Sequence, residues 1–262
     1  MNIIVCIKQV PDTTEVKIDP VTNTLIRQGV PSIVNPFDKN AVEAALQLKG
    51  KHGGTVTVIS MGPPQAQEAL KECLAMGADS AVLISDRAFG GADTLATSYA
   101  LAAAIRKLGQ YDLIICGKQA IDGDTAQVGP ETAEHLGIAQ VTYVAKMELT
   151  GDTMTVEREH EDGYEVIEVK LPALVSVIKS AEYEPRFPSV KGTMKANRTE
   201  IPVWTAADVQ ADEERIGLKG SPTKVSKIFS PPRRTQGIVI SKDTARDNVS
   251  ALLEKLAEAK II

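Results

Sequence analysis

Aromatic residues make up only 4% of this 262-residue sequence, with one tryptophan, and cysteine and histidine occur three times each. Each shortage removes a class of function. So few aromatics leave little with which to stack single-stranded bases. Lys and Arg number 29 against 34 Asp and Glu, a net charge of −5, so the basic footprint of a nucleic-acid binder is missing as well. Cys6, Cys73 and Cys116 lie far apart in apolar or helical surroundings and form no C-x-x-C. They read as buried inert thiols rather than a disulfide frame or a zinc site. His52, His135 and His160 form no H-E-x-x-H, and no carboxylates are spaced to replace them, so no metal is expected. No apolar run approaches the roughly 18 residues of a membrane span. The opening MNIIVCIKQV has neither a basic leader nor a small-residue cleavage site, so it reads as a first strand and the chain is expected in the cytoplasm. The G-x-G-x-x-G and G-x-x-x-x-G-K-[ST] loops are absent, which disfavours an ordinary Rossmann dehydrogenase and a P-loop NTPase. No G-x-S-x-G serine and no cysteine with a histidine near it in sequence offers a nucleophile, so no catalytic residue is assigned.

What remains is an alternation of strands and helices. Residues 2–8, 55–60, 81–85 and 112–116 are short apolar, β-branched runs without polar alternation. Residues 40–50, 65–76 and 93–108 carry helical spacing, the last two ending at Gly77 and Gly109. Unalternated strands between helices mean a parallel sheet covered on both faces, so the fold class is α/β, a doubly wound, Rossmann-like parallel sheet. Beyond about residue 140 the pattern changes. Residues 147–157, 164–171 and 173–178 read as strands, with turns at Gly151-Asp152 and Asp162-Gly163, and suggest an antiparallel extension. Residues 183–235 are weakly patterned and rich in Pro, Lys and Arg, with Glu184-Pro185-Arg186 and Pro231-Pro232-Arg233-Arg234 conspicuous. Such a stretch is either disordered or laid along a partner. A last amphipathic helix spans about 248–259. The expected division is therefore residues 1–182, a nucleotide-binding α/β domain with its extension, and residues 183–262, an extended C-terminal arm.

In a doubly wound sheet, ligands bind outside the carboxyl ends of the strands. Four segments fall there: residues 8–14, 60–65, 85–94 and 117–130. The last reads Gly117-Lys118-Gln119-Ala120-Ile121-Asp122-Gly123-Asp124-Thr125-Ala126-Gln127-Val128-Gly129-Pro130 and leads into a helical pattern at 131–136. A loop feeding a helix start offers free amides and a positive dipole end to a phosphate. Thr125 and Gln127 can add side-chain hydrogen bonds, whereas Asp122 and Asp124 would repel an anion and read as turn formers or caps. An ordinary Asp-Gly turn before a capped helix fits the same residues. Phe89-Gly90-Gly91-Ala92-Asp93-Thr94 partly matches an ATP-pyrophosphatase loop, with Phe89 in place of its first serine. Its plain alternative is a flexible entry to a helix capped by Asp93 or Thr94. Lys8 and Lys118 stand just past strand ends, placed either for phosphate or simply for solvent.

Val5-Cys6-Ile7-Lys8-Gln9-Val10, Asn35-Pro36-Phe37-Asp38, Ala75-Met76-Gly77-Ala78-Asp79, Gly117-Lys118-Gln119-Ala120-Ile121-Asp122, Glu184-Pro185-Arg186-Phe187 and Lys191-Gly192-Thr193-Met194-Lys195-Ala196 form a recognisable set. Over essentially its whole length the chain resembles the β subunit of electron transfer flavoproteins. The resemblance implies a heterodimer with an α subunit that carries the electron-transferring FAD, and a second nucleotide in the β subunit. That nucleotide is AMP in housekeeping members and FAD in electron-bifurcating ones. The family's adenine-nucleotide contacts fall on Cys6, Asn35, Pro36, Phe37, Asp38, Met61 and the loop from Gly117 to Val128. A recognition loop that docks on acyl-CoA dehydrogenases falls on residues 187–195, with Val190 as its apolar anchor among Phe187, Lys191 and Lys195. The remaining arm is expected to embrace the α subunit. Pro11-Asp12-Thr13, residues 89–94 and residues 124–130 look like the bifurcating group. That group takes a hydride from NADH and sends one electron through the α-subunit flavin and the other to ferredoxin or flavodoxin. An AMP-holding carrier without bifurcation, and an ATP-binding sensor or adenylating enzyme of similar fold, are the competing expectations.

Overall fold

A computed structural model describes residues 1–12, 31–226 and 237–262. Thr13 and Pro231-Pro232-Arg233-Arg234, singled out above, lie outside the described residues. In chain order the elements are β1 (Asn2–Cys6), β2 (Gln9–Pro11), β3 (Ser32–Val34), α1 (Pro36–His52), β4 (Thr55–Met61), α2 (Gln67–Met76), β5 (Ser80–Ile84), α3 (Thr94–Leu108), β6 (Leu113–Gly117) and α4 (Val128–Leu136). Then follow β7 (Ala139–Thr150), β8 (Thr153–His160), β9 (Gly163–Lys170), β10 (Ala173–Val177), α5 (Val190–Arg198), β11 (Val203–Trp204) and α6 (Ala245–Glu258).

Among the described residues, one sheet runs in the order β11-β5-β4-β1-β6-β10-β7-β8-β9, and β2 and β3 pair separately. From β11 to β10 every pairing is parallel, and β10 also meets β7 in parallel. The hairpins β7-β8 and β8-β9 are antiparallel. This is the doubly wound, Rossmann-like sheet with an antiparallel extension. The parallel part is covered on both faces, which is why β1, β4, β5, β6 and β10 are apolar and buried along most of their length. Ile3, Val5, Leu113 and Ile115 face a core shared with α1 and α2, while Ile4, Cys6, Ile114 and Cys116 face one shared with α3 and α4. All three cysteines are free and buried.

Several boundaries differ from the sequence reading. The strand at 173–178 belongs to the parallel core, not to the antiparallel extension: β10 slots between β6 and β7. Its continuous Ala-Leu-Val-Ser-Val pattern, buried at every position, is that of a central parallel strand. β7 starts at Ala139, and its two halves serve both parts of the sheet. Its start pairs with β10, and from Val144 onward it pairs with β8. The change occurs at Tyr143, which has φ +60 and donates its N–H to Ser176 Oγ at 3.2 Å. The first hairpin turn is Gly151-Asp152 as expected. The second is Glu161-Asp162, with Gly163 opening β9 at φ +147.

Contacts divide the chain into Met1–Ser226 and Lys227–Ile262, not after residue 182. Residues 199–226 pack on their own α/β domain. Leu83 and Ser85 donate to the carbonyls of Pro202 and Trp204, each at 2.9 Å. Asp86 accepts from Ala206 N at 3.1 Å, and Asp93 accepts from Thr223 N at 3.0 Å. Ala206, Val209 and Ile216 are buried against the α3 face. Lys107 and Arg215 lie over the rings of Trp204 and Tyr99. In the second unit, α6 is capped by Thr244, which accepts from Asp247 N, and its Val249, Leu252 and Leu253 are exposed. No helix of the described residues is long and apolar enough to cross a membrane.

Candidate functional site

From β1 the chain winds outward through β4 to β5 and then returns to β6 on the other side of β1. The switch point therefore lies between the carboxyl ends of β1 and β6, where a doubly wound sheet leaves a crevice. The N-terminus of α1 sits across it. Asp38, in the first turn of α1, is 5% exposed. Its carboxylate accepts from Lys8 N at 2.7 Å, just past β1, and from Gly117 N at 3.1 Å, at the end of β6. A Cβ on Gly117 would overlap Asp38 Oδ1 and the Phe37 backbone, so only glycine lets α1 approach so closely. Asn35 stands at the N-cap position but makes no side-chain cap. Its amide is spent on the loop after β6, donating to Gln119 O at 2.8 Å and accepting from Ile121 N at 3.1 Å.

The same loop answers the difficulty posed by its carboxylates. Asp122 and Asp124 do not cap α4. Asp122 takes both oxygens to Lys8 Nζ, at 2.7 and 2.9 Å, and Asp124 accepts from Gln119 Nε2 at 2.7 Å. Asp122 is thus neutralised by a lysine from the end of β1, and Asp124 is held in place by a neutral amide. Helix α4 begins at Val128, before the expected 131, and its N-cap Gln127 bonds no backbone N–H with its side chain. Among the described residues, the N–H groups of Thr125, Ala126, Gln127 and Val128 find no acceptor. Ala126 has φ +56, and Gln127 has φ −98 and ψ −27. A left-handed residue followed by a right-handed one turns successive amides toward a common point, an anion-binding concavity. Holding alanine there costs about 1–2 kcal/mol. Gly123 lies on the rim, where an added Cβ would meet no protein atom. These donors, the open rim and the helix dipole fit the phosphate of a nucleotide.

The structure brings Cys6, Asn35, Asp38 and the loop from Gly117 together at the switch point, with Pro36 and Phe37 in the first turn of α1. Met61 ends β4 one strand further out and packs against the α3-side core. Burial, helped by the charge of Asp38, pushes the Cys6 thiol up to about 12, so it is a neutral, inert wall of the site. Lys118 Nζ lies 4.8 Å from the Tyr143 ring centre. Sequence reasoning passed over Tyr143 because the strained backbone that marks it leaves no trace in residue type. Lys8 was seen, but its carboxylate partner is 114 positions away. The segment at 89–94 is structural. Phe89 is buried, and Asp93 caps α3 through Ala96 N and holds Thr223. That leaves little of an ATP-pyrophosphatase loop. Residues 187–195, expected to be a loop, become helical from Val190 onward.

Burial pushes the Asp38 carboxyl up to about 7, against the pull of the backbone N–H groups of Lys8 and Gly117. The folded protein thus holds this proton more tightly than the unfolded chain, where an aspartate titrates near 4. Its contribution to stability is full below about pH 4 and is lost as pH rises through about 7. An Asp38→Asn variant cannot accept at both positions and leaves one backbone N–H unpaired, at about 1–3 kcal/mol. The stability gap between wild type and this variant is expected to shrink from pH 4 to pH 7, read as thermal midpoints across that range. A gap independent of pH would show that Asp38 is ionised throughout.

Comparison with known proteins gives the family. The electron transfer flavoprotein domain family matches residues 22–209. The chain is 59% identical over 262 residues to an electron transfer flavoprotein subunit beta of Clostridium acetobutylicum, covering 100% of both chains. It is 56% identical to the subunit of the same name in Megasphaera elsdenii, again over 100% of both chains. It is 53% identical to subunit CarD of the caffeyl-CoA reductase-Etf complex of Acetobacterium woodii, also over 100% of both. The doubly wound sheet, together with full-length similarity to these proteins, places the chain in the electron transfer flavoprotein β-subunit family.

Proposed function

We propose that this chain holds FAD at the switch point as the β half of a bifurcating electron-transferring heterodimer. The observation that carries the reading is the concavity of unpaired amides at residues 125–128, with the loop's own carboxylates tied away from it. These amides would hold the phosphates. Asn35 and Asp38 fix the loop to α1, Lys8 neutralises Asp122, and Cys6 and Met61 supply uncharged walls. Bound there, FAD would accept the hydride of NADH and give up its electrons singly, one toward the α-subunit flavin and an acyl-CoA dehydrogenase-type partner, the other toward ferredoxin or flavodoxin. The chain itself need supply no acid or base; it sets position and electrostatics. Bifurcation is favoured by the sequence resemblance at residues 11–13, 89–94 and 124–130, and by a relative whose name places it in a caffeyl-CoA reductase complex. The exposed segment at 187–195 is proposed to dock on the dehydrogenase through Phe187 and Val190, flanked by Lys191 and Lys195.

Acid release of nucleotides from the purified αβ complex tests the first part. Two FAD per heterodimer are expected. One FAD with one AMP would make the chain a carrier subunit without bifurcation, and NADH would then not reduce ferredoxin. Ala126→Pro deletes one donor and forbids φ +56. It is expected to weaken retention of the β-site nucleotide by about tenfold or more, the worth of one charge-assisted hydrogen bond, while the α-subunit flavin stays. Full occupancy in that variant would remove the loop from the site. For docking, Val190→Asp should raise the KM for the partner dehydrogenase about tenfold or more, as loss of an apolar anchor does, with nucleotide content unchanged.

A further inference from the structure

Helix α1 grips a second segment far from its N-terminus. Asn40, Glu43 and Gln47 lie three and four positions apart, on neighbouring turns of the helix. Asn40 Nδ2 donates to Tyr183 O at 2.7 Å, and Gln47 Nε2 donates to Glu182 O at 3.0 Å and to Glu43 at 3.2 Å. Glu43, its side chain 6% exposed, receives the Arg186 guanidinium through both oxygens, at 2.7 and 2.8 Å, and the Arg186 N–H at 3.3 Å. Burial works to raise the Glu43 carboxyl, but the Arg186 bonds outweigh it and hold it below its ordinary range. The chain therefore leaves α1 at Arg186 from a fixed point, one residue before Phe187.

Its other end is fixed independently. Ser189 caps α5, accepting from Gly192 N at 2.9 Å, and Ala196 is buried. Gly192 lies against the last turn of α2, where an added Cβ would overlap the Ala75 carbonyl oxygen. Between these two anchors the tip presents Phe187 at 93% and Val190 at 81% exposure. Two large apolar side chains so exposed gain nothing from their own domain. An ordered tip spares a partner the entropy of ordering it.

We infer that Glu43, through Arg186, and Gly192, against α2, are positioning residues that hold residues 187–191 ready for docking. The inference rests on the docking reading above and adds what makes the segment competent. The tip and its neighbouring cations, Lys191, Lys195 and Arg198, would suit an apolar depression with an acidic rim.

The test uses the purified αβ complex with its nucleotides and an acyl-CoA dehydrogenase reduced by its acyl-CoA. In Glu43→Gln the KM for the dehydrogenase is expected to rise about fivefold, with kcat and nucleotide content unchanged. Amide hydrogen exchange at residues 187–191 should quicken about tenfold. Gly192→Ala acts from the other anchor and carries the same expectation, so poor folding of Glu43→Gln leaves the test intact. Val190→Asp serves as the control. If it raises KM while exchange and KM stay unchanged in both anchor variants, docking stands and the positioning role is overturned. If KM, kcat and nucleotide content all worsen together, the anchors are merely structural and the inference fails. If Val190→Asp changes nothing, the docking reading falls and takes this inference with it.

Discussion

A buried carboxylate sets the frame of this molecule. Asp38 accepts the N–H groups of Lys8 and Gly117, which stand where the parallel ladders of β1 and β6 run out. Amides at strand ends have no ladder partner and must find another acceptor. By supplying one acceptor to both, Asp38 fixes α1 across the switch point. Glycine at 117 lets the helix come close enough for those bonds. From that seat follow the reach of Asn35 to Gln119 and Ile121 and the course of the loop beyond β6. An N-cap asparagine ordinarily closes its own helix. Here its side chain is diverted to the loop, which indicates that loop geometry outweighs helix-end stability at this place.

The electrostatics of the loop follow a similar logic. A concavity for an anion flanked by two aspartates looks self-defeating in sequence. In the fold, Asp122 is neutralised by Lys8 and Asp124 is bound to Gln119. Each carboxylate thereby becomes a strut that shapes the backbone, and the amides of 125–128 are left without an acceptor among the described residues. The positive φ of Ala126 is the cost of that shape. Strain on a residue with a Cβ is tolerated where the surrounding structure over-determines it, and such sites cluster where ligands bind.

Much of the architecture was legible because its cause is local. Unalternated apolar runs at β1, β4, β5 and β6 and the glycine stops of α2 and α3 declare a parallel, doubly covered sheet. What was misread depends on partners distant in sequence. β10 has the composition of a core strand, but nothing near it reveals that it enters between β6 and β7. Residues 199–226 look unpatterned because carboxylates of Asp86 and Asp93 and two cation–ring contacts, not an apolar period, fasten them to their own domain. At the site, residue types pointed to the right loop. The pairing of Lys8 with Asp122 and the backbone turn at Ala126 are properties of the folded chain alone. Glu43 left a faint signal, a charged residue within the apolar run Ala41-Val42 and Ala44-Ala45, on neighbouring turns from Asn40 and Gln47.

One helix thus serves two places in the domain. The N-terminal turn of α1 holds the ends of β1 and β6 and the loop beyond β6, and its middle turns hold the root of an exposed apolar tip. On the docking reading, partners must come and go while the tip that meets them keeps its place on the domain. Place is best kept by a rigid element, and α1, packed along the sheet with Ala41, Val42, Ala44 and Ala45 fully buried, is such an element. Transience is best kept by a small contact that needs no ordering, because affinity is then set by a few side chains and release stays fast. A five-residue tip between two anchors meets that condition. The polar face of α1 spends its side chains on fixing chain geometry: Asp38 seats the helix across the switch point, and buried Glu43 anchors the root of the tip.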